Sequence, residues 1–413
     1  MTTGTETNRD YDIIVQGATG FTGTLVAEYL LRKYGVDGDL KWALAGRSKK
    51  KLRLVRDGLG LNASTLDLIV ADSFDKDALR NMTSRTCVVL TAVGPYALYG
   101  DDLVAACVET GTHYCDLAGE VHWIQRMIDT HQEQASQKGV KIVHCCGFDS
   151  VPMDIGVWFL QDAAYEKYGA YCKSISMMVK ATKGTVSGGT LASMMNIIKE
   201  SQKDRTIARA LIQPYSLNPE GEREGPDARD QQKVVYRADA KTWTAPFVMA
   251  GVNTKVVRRS HALAGYPYGR EFRYDESVVT GRGISGWLKG AVMVVSLGAL
   301  MFFASFTATR NLLQRFVLAK PGEGPDRALQ KNGFFNLMQI GKLPDGTVIR
   351  GRITGDQDPG YGSTSKMLSE CAVCLAKDDL DAKGGVWTPA SVMAKPLIKR
   401  LRENAGLTFD LRD

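Results

Sequence analysis

The sequence predicts an α/β protein whose first domain is a doubly wound parallel sheet. Three observations support this prediction. Short, nearly all-apolar runs recur through the first 150 residues, helix-like stretches separate them, and three evenly spaced glycines follow the first run. Strands that are apolar on both faces are typical of a parallel sheet covered by helices on both sides. At 413 residues the chain is too long for one compact core, so at least two domains are expected.

Six strand-like runs define the first domain, which we place at residues 10–152. The runs are Asp12–Gln16, Lys41–Ala45, Leu66–Val70, Thr86–Val93, Thr112–Leu117 and Val140–Cys146, and helix-like stretches such as Thr24–Tyr34 and Asp101–Thr110 lie between them. Residues 153–360 are predicted to form an α+β second domain for substrate binding or dimerisation, with a strand at Lys255–Arg259. Residues 361–413 are predicted to form a C-terminal helical region.

The composition excludes several classes of protein. The chain is 44% hydrophobic and 23% charged, which is typical of an ordinary globular protein. Its net charge of +7 is mild, and no basic stripe is interleaved with aromatic residues, so no nucleic-acid partner is predicted. The histidines and the eight cysteines show no complete metal-binding spacing. The polar start MTTGTETNRD lacks the apolar core of a secretory signal, so an intracellular location is expected.

The glycines Gly17, Gly20 and Gly23, in the stretch GATGFTG, lie between a predicted strand and a predicted helix. Glycine at this place allows a tight turn, close approach of a pyrophosphate and close packing of the helix on the strand. The free N–H groups and the dipole of the helix attract negative charge. The stretch therefore predicts a dinucleotide-binding site.

The end of the second strand indicates which dinucleotide is bound. An Asp or Glu there would hold the ribose hydroxyls of NAD, but this sequence has Arg47 and Ser48 followed by three lysines. Arg47 can hold a 2′-phosphate, so NADP(H) is the predicted cofactor. Asp72, after the third strand, is either an adenine-side contact or a helix N-cap. The residues expected at the nicotinamide end follow the fourth strand, namely Val93, Gly94 and Pro95.

A hydride reductase needs a proton donor beside its cofactor. The candidates are Tyr96 and Tyr99, after the fourth strand, and Asp149 and Ser150, after the sixth. Each has a structural alternative, because tyrosines in such loops often pack and Asp149 could cap a following helix. No metal participates in the predicted site.

An uncharged segment of 20 residues, Gly290–Thr309, stands apart in the second domain, bounded by Lys289 and Arg310 with Trp287 just outside. Twenty residues is about the length of a bilayer-spanning helix. Two interpretations stay open. The segment either meets a membrane, by spanning it or lying on it, or it is a helix buried inside the domain or at a dimer contact.

The order of several motifs resembles that of the saccharopine dehydrogenase-like oxidoreductases, and within them the trans-acting enoyl reductases. These motifs run from Gly17 to Glu370 and are GATGFTG, AGRS, VGPYALYG, YCDLAGE, GFDSVPMDIG, SGGT, PGEGP and DPGYGSTSKMLSE. The resemblance implies a Rossmann domain with an inserted α+β domain, a C-terminal helix that returns to the first domain, and NADP(H)-dependent reduction. The residues that match the family's cofactor motif are Gly17, Thr19, Gly20, Phe21, Thr22, Gly23, Arg47 and Ser48.

The resemblance also implies a substrate class and a location. An acyl or lipid-like substrate, which some relatives receive on a carrier, and an enoyl-type double bond are expected. Association with a membrane or lipid droplet through residues 290–309 is favoured over a freely cytosolic protein, and a homodimer through the second domain is expected. Two alternatives stay open: a non-catalytic NADP(H)-binding protein held at a membrane, and a saccharopine-type dehydrogenase.

Overall fold

The computed structural model describes residues 9–185, 187–316 and 324–412. Of the PGEGP motif, residues 321–323 lie outside the described residues. The strands are β1 (Tyr11–Gln16), β2 (Trp42–Gly46), β3 (Leu68–Val70), β4 (Thr86–Thr91), β5 (His113–Cys115), β6 (Lys141–Val143), β7 (Ser174–Lys183), β8 (Val235–Arg237), β9 (Thr242–Ala245), β10 (Arg273–Gly281), β11 (Phe334–Lys342), β12 (Val348–Gly355), β13 (Gly385–Trp387) and β14 (Leu407–Arg412).

Helices connect these strands and cover both sheets. They are α1 (Phe21–Tyr34), α2 (Lys49–Gly58), α3 (Lys76–Thr83), α4 (Tyr96–Tyr99), α5 (Asp101–Thr110), α6 (Val121–Lys138), α7 (Val151–Tyr168), α8 (Gly188–Lys203), α9 (Arg205–Ile212), α10 (Ala250–Leu263), α11 (Gly283–Ser305), α12 (Thr307–Phe316), α13 (Arg327–Lys331), α14 (Thr364–Lys377) and α15 (Pro389–Asn404).

The first sheet confirms the predicted doubly wound α/β fold. Its order is β13-β6-β5-β4-β1-β2-β3, and every pairing in it is parallel. All six predicted runs overlap one of these strands, and most of their apolar side chains are buried because helices cover both faces. The chain order reverses between β1 and β4, which is where doubly wound sheets bind their ligands.

The second sheet is mixed, with the order β14-β12-β11-β7-β10-β9-β8. Its β7–β10 pair is parallel and its other pairs are antiparallel. The prediction of a strand at Lys255–Arg259 was wrong, because these residues lie inside α10. A short apolar run does not distinguish a strand from a buried helix, and α10 is buried between β10, α7 and α15.

The carboxyl-terminal region contacts both sheets. Helix α14 packs on α1, β1, β4 and β5 of the first domain, while α15 packs on α7 and α10. The region also supplies two strands that the sequence did not indicate, β13 at the edge of the first sheet and β14 at the edge of the second. Its residues are therefore part of both cores.

Candidate functional site

The glycine loop lies at the carboxyl end of β1, beside the end of β4. Gly17 has a φ of 84°, and a Cβ there would lie 2.6 Å from the Val93 side chain. A Cβ at Gly23 would lie 2.1 Å from the Gly17 carbonyl oxygen, so α1 can approach the loop only because residue 23 is glycine. The backbone N–H groups at the start of α1 are thereby placed at the crevice where a pyrophosphate binds.

Thr19 connects this loop to the predicted 2′-phosphate side. A Cβ on Gly46, at the end of β2, would lie 3.8 Å from the Thr19 hydroxyl, and the next residue, Arg47, is exposed. Ser48 caps α2 by accepting a hydrogen bond from the Lys51 N–H at 3.4 Å. The loop and Arg47 therefore border the same edge of the sheet, as a site for a phosphorylated ribose requires.

Asp72 forms a local turn after β3. Its carboxylate accepts a hydrogen bond from the Phe74 N–H at 3.1 Å, whereas Asp75 caps α3 through the Ala78 N–H. The N-cap alternative for Asp72 was therefore wrong. Its contact with adenine stays a prediction, as do the contacts of Phe21 and Thr22 with the cofactor. The Phe21 ring packs edge-on against Tyr361, at 4.7 Å between ring centroids.

Glu120 fixes the loop after β4, which is the loop predicted to lie at the nicotinamide end, and the sequence did not reveal this role. Its buried carboxylate accepts hydrogen bonds from the backbone N–H groups of Tyr96 (2.7 Å) and Ala97 (3.1 Å), directly after Val93, Gly94 and Pro95. It also accepts one from the Ser193 hydroxyl at 2.8 Å. Burial raises the pKa of Glu120, and the hydrogen bonds oppose this shift. Because Ser193 lies on α8, Glu120 joins this loop to the second domain.

Tyr96 and Tyr99 have different environments. The Tyr96 hydroxyl is buried, donates to the Thr91 carbonyl at 3.2 Å and accepts from the Leu117 N–H at 3.1 Å. Burial raises its pKa well above the usual value. The partly exposed Tyr99 packs against Phe74, at 5.7 Å between ring centroids. Both rings thus have the packing role that was the alternative to proton donation.

Asp149 is the acidic candidate that lies against the second domain. It precedes Ser150, the residue before α7, so the cap predicted as its alternative role was wrong. Burial raises the pKa of Asp149 to about 6, and a hydrogen bond with Thr190, on α8, opposes this shift. The Ser150 hydroxyl donates to the Asn253 side chain at 3.1 Å, so it is held within the fold.

A second buried acid, Asp116, follows β5 at the same edge of the sheet. It pairs with Nδ1 of His144 at 2.7 Å and accepts a hydrogen bond from the Tyr114 hydroxyl at 3.0 Å. All three side chains are buried. The motif YCD at the end of a predicted strand was a usable signal for Asp116, but its histidine partner is distant in sequence. We assign this group to the support of the β5 and β6 ends.

Helix α8 lies across the crevice. Its first residue, Gly188, donates its N–H to the Tyr361 hydroxyl at 2.9 Å, and Thr190 and Ser193 bond the acids described above. The part of α8 between residues 188 and 198 has the sequence GGTLASMMNII and carries no charge. Several of its apolar side chains are only half-buried. The part of α8 that bonds these acids is therefore uncharged, and more than half of its residues are apolar.

The fold and the site define a dinucleotide-dependent dehydrogenase or reductase. The family model for the saccharopine dehydrogenase NADP-binding domain matches residues 13–143. The chain is 36% identical over 413 residues to a trans-acting enoyl reductase of Mycobacterium leprae, with 97% of each chain covered. A provisionally named trans-acting enoyl reductase of Mycobacterium tuberculosis is 40% identical, with 96% of each chain covered.

This chain therefore belongs to the saccharopine dehydrogenase-like family that includes the trans-acting enoyl reductases. It is an oxidoreductase that binds NADP(H), as the glycine loop and Arg47 predicted. Among solved structures, a saccharopine dehydrogenase (L-Glu forming) of Saccharomyces cerevisiae shares the fold. The TM-score is 0.53 with 12% identity, covering 98% of this chain and 100% of that one.

Proposed function

We propose that this oxidoreductase uses NADPH to reduce the conjugated double bond of an acyl thioester. The observation that carries the proposal is the uncharged face of α8 between residues 188 and 198, opposite the cofactor edge. An apolar wall suits an acyl chain, because burying apolar surface contributes about 25 cal/mol per Å². A substrate with several carboxylates would need cations there. The enoyl reductase names of the near-full-length relatives support the same substrate class.

Bound at the glycine loop and Arg47, NADPH would supply the hydride for the β-carbon of the double bond. The chain must then deliver a proton to the α-carbon, next to the thioester carbonyl. We assign that proton to the Asp149 carboxyl, because a pKa of about 6 keeps a useful fraction protonated near neutral pH. Thr190 orients this carboxyl, and Glu120 holds the loop after β4 through the Tyr96 and Ala97 N–H groups.

The cofactor side of the proposal is tested by titrating the purified protein with NADPH and NADH while following nucleotide fluorescence. Arg47→Asp should weaken NADPH binding by about 10–100-fold, because charge-assisted bonds to the 2′-phosphate contribute about 1.5–3 kcal/mol. NADH binding should change little. Lys50→Asp, three residues away on the exposed start of α2, is the matched control. If both variants lost NADPH affinity equally, Arg47 would contribute only to the overall positive charge near the site and not through a specific bond to the 2′-phosphate.

The substrate side is tested by NADPH oxidation with enoyl thioesters of increasing chain length and, separately, with saccharopine. We expect turnover of the thioesters and kcat/KM that rises with chain length. Oxidation of NADPH or reduction of NADP⁺ only with saccharopine-type substrates would overturn the proposal. Failure with every substrate, together with intact NADPH binding, would separate a wrong substrate class from a wrong cofactor site.

The assignment of Asp149 makes a prediction about pH. A proton donor must be protonated, so kcat should fall as the pH rises through about 6. Asp149→Asn should lower kcat by about 100-fold or more and remove this limb of the profile, with NADPH binding unchanged. Asp57→Asn, an exposed acid on α2, should leave both kcat and the profile as they are. If the limb persists in Asp149→Asn, the donor is another group.

A further inference from the structure

The residues of helix α11 that are fully buried are small, while its large apolar side chains are half-buried or exposed. Its buried residues are Gly286, Gly290 and Ala304. A Cβ on Gly286 would lie 2.4 Å from the Gly281 backbone, and one on Gly290 would lie 3.0 Å from the Val234 side chain. The helix thus lies close against β9 and β10 through residues that bury little apolar surface. A helix that served the core would have the opposite arrangement.

The outward face is a continuous apolar stripe along the whole helix. Ile284 is 85% exposed, Val295 69% and Phe302 61%. The spacing of about one helical turn continues through other exposed side chains, namely Leu288, Val292, Phe303 and Phe306. By length and composition α11 is the one helix, among the residues that the structure describes, that could cross a membrane, with a mean hydropathy of 1.8. The interpretation of this segment as a helix buried inside the domain was therefore wrong.

The two ends of the helix are attached to the second domain. At the carboxyl end, the Gln202 side chain of α8 donates a hydrogen bond to the Ser305 carbonyl at 2.6 Å. The buried Arg310 guanidinium donates to the Ala304 carbonyl at 3.3 Å. At the other end, Gly286 and Gly290 pack against the second sheet. Crossing a bilayer would break these contacts, whereas lying in the plane of its surface would keep them.

The charged residues within this segment of the chain are of one sign. From residue 282 to residue 316 the sequence has no Asp or Glu. Arg282 and Lys289 are exposed near the amino end of the helix, and the amphipathic Trp287 beside them is 47% exposed. At the other end, the exposed Lys203 of α8 is followed by the exposed Asp204, so the basic character lies at the amino end. Basic residues and a tryptophan at the border of an apolar face favour the headgroup region of an anionic bilayer.

We propose that the outward face of α11 docks this protein on an anionic lipid bilayer, with the helix lying in the plane of the interface. A second copy of the chain is the alternative occupant, which the test below distinguishes from a bilayer. The surface lies outside the cofactor site, so docking is independent of the reaction proposed above. It would bring α8, which contacts α11, to the surface where lipid-like acyl chains are found.

The test is co-sedimentation of the full chain with phosphatidylcholine vesicles that contain or lack phosphatidylglycerol. We expect binding to the anionic vesicles, which weakens as salt is raised. Val295→Glu and Phe302→Glu, combined, should reduce binding by about tenfold or more for each large apolar group withdrawn from the lipid. Leu61→Glu, which replaces a 91% exposed leucine of the first domain, is the matched control and should bind as the wild type does.

Other outcomes would overturn the proposal. These are no binding to either kind of vesicle, or equal binding by the wild type and the double variant. Light scattering after size exclusion measures the oligomeric state of both proteins. If the wild type is a dimer, the double variant is a monomer and neither binds vesicles, a second copy of the chain is the occupant. NADPH titration of each variant keeps these results interpretable, because unchanged nucleotide binding shows that the variant is folded.

Discussion

Helices α11 and α14 have opposite relations between composition and burial. Helix α14 contains Lys366 and Glu370, yet every residue from 364 to 375 is buried. Helix α11 has one charge in 23 residues, yet only three of its residues are buried. Hydropathy alone would therefore place the two helices the wrong way round. A helix is buried when the neighbouring elements can form hydrogen bonds or ion pairs with its polar groups and can pack around its side chains.

The polar residues of α14 have partners on several elements. Glu370 accepts hydrogen bonds from the hydroxyls of Tyr29 (2.6 Å) and Tyr34 (2.7 Å), and its carboxylate lies 3.6 Å from Arg400. Lys366 pairs with Asp356. The comparison thus teaches that α14 is held by a closed polar network inside a packed core. Helix α11 is held along one narrow stripe.

The largest effect is expected from Glu370→Ala. It removes the acceptor of two tyrosine hydroxyls and leaves Arg400 without this partner, so we expect a loss of about 3–5 kcal/mol in the free energy of unfolding. Phe302→Ser, on the outward face of α11, should change that free energy by no more than about 0.5 kcal/mol. Urea unfolding measures both. Glu370→Gln keeps an oxygen for the tyrosines and should cost less than Glu370→Ala; equal losses would show that the negative charge of Glu370, not its volume or its acceptor oxygen, matters.

Glu276 is a buried acid that, unlike Glu370 of α14, has no cationic partner among the described residues. Among the described residues, Glu276 of the second sheet makes no ion pair, and it accepts hydrogen bonds from Asn253 (3.0 Å) and Tyr274 (2.9 Å). Burial raises its pKa from 4.5 to about 8, against these hydrogen bonds. The folded state therefore holds the proton more tightly than the unfolded state. The resulting stabilisation is complete below about pH 4.5 and is lost as the pH rises to about 8.

Glu276→Gln should flatten that dependence, because glutamine has no proton to lose. The measurement is the urea midpoint of both proteins at several pH values between about 5 and 8. Glu403→Gln, at an exposed position of α15, should retain the slope of the wild type. A slope that Glu276→Gln leaves unchanged would mean that other buried acids determine the pH dependence.

The smallest effects separate the two faces of α11 itself. Gly298 has open space around it, so Gly298→Ala should stabilise the protein by about 0.5–1 kcal/mol through helix propensity. Gly286→Ala would place a methyl group 2.4 Å from the Gly281 backbone and should destabilise by about 1–3 kcal/mol. Thermal unfolding of the pair gives the contrast. If both variants raised the unfolding temperature, the contact between Gly286 and the Gly281 backbone would have room for a methyl group.

Much of the first domain could be predicted from the sequence because its signals are local. Apolar runs gave all six amino-terminal strands of the first sheet, and the spacing of Gly17, Gly20 and Gly23 indicated the cofactor loop. Strand β13 is no shorter than β3, β5 or β6, but no apolar run marks it in the sequence, and it is a strand only because β6 offers it a free edge. Lys255–Arg259 was mistaken for a strand because only tertiary packing makes the run helical.

The cofactor edge of the site was more predictable than its catalytic side. Arg47 follows a strand directly, so its place could be inferred from chain order. Glu120 and Ser193 are 73 residues apart, and no periodicity indicates that they meet. Tyr96 follows the same strand as Val93, but the direction of its hydroxyl depends on Thr91 and Leu117. Contacts between distant segments account for what sequence reasoning missed.

The return of the carboxyl-terminal region to both sheets has a consequence for biosynthesis. Roughly 240 residues separate Val143, the end of β6, from Gly385, the start of the strand that pairs with it, so a ribosome adding about 5–20 residues per second needs on the order of 10–50 s to supply that partner. During this interval the nascent first domain has an open sheet edge and lacks α14 on its core. Neither domain is complete until translation has almost ended, and the outward face of α11 emerges well before then.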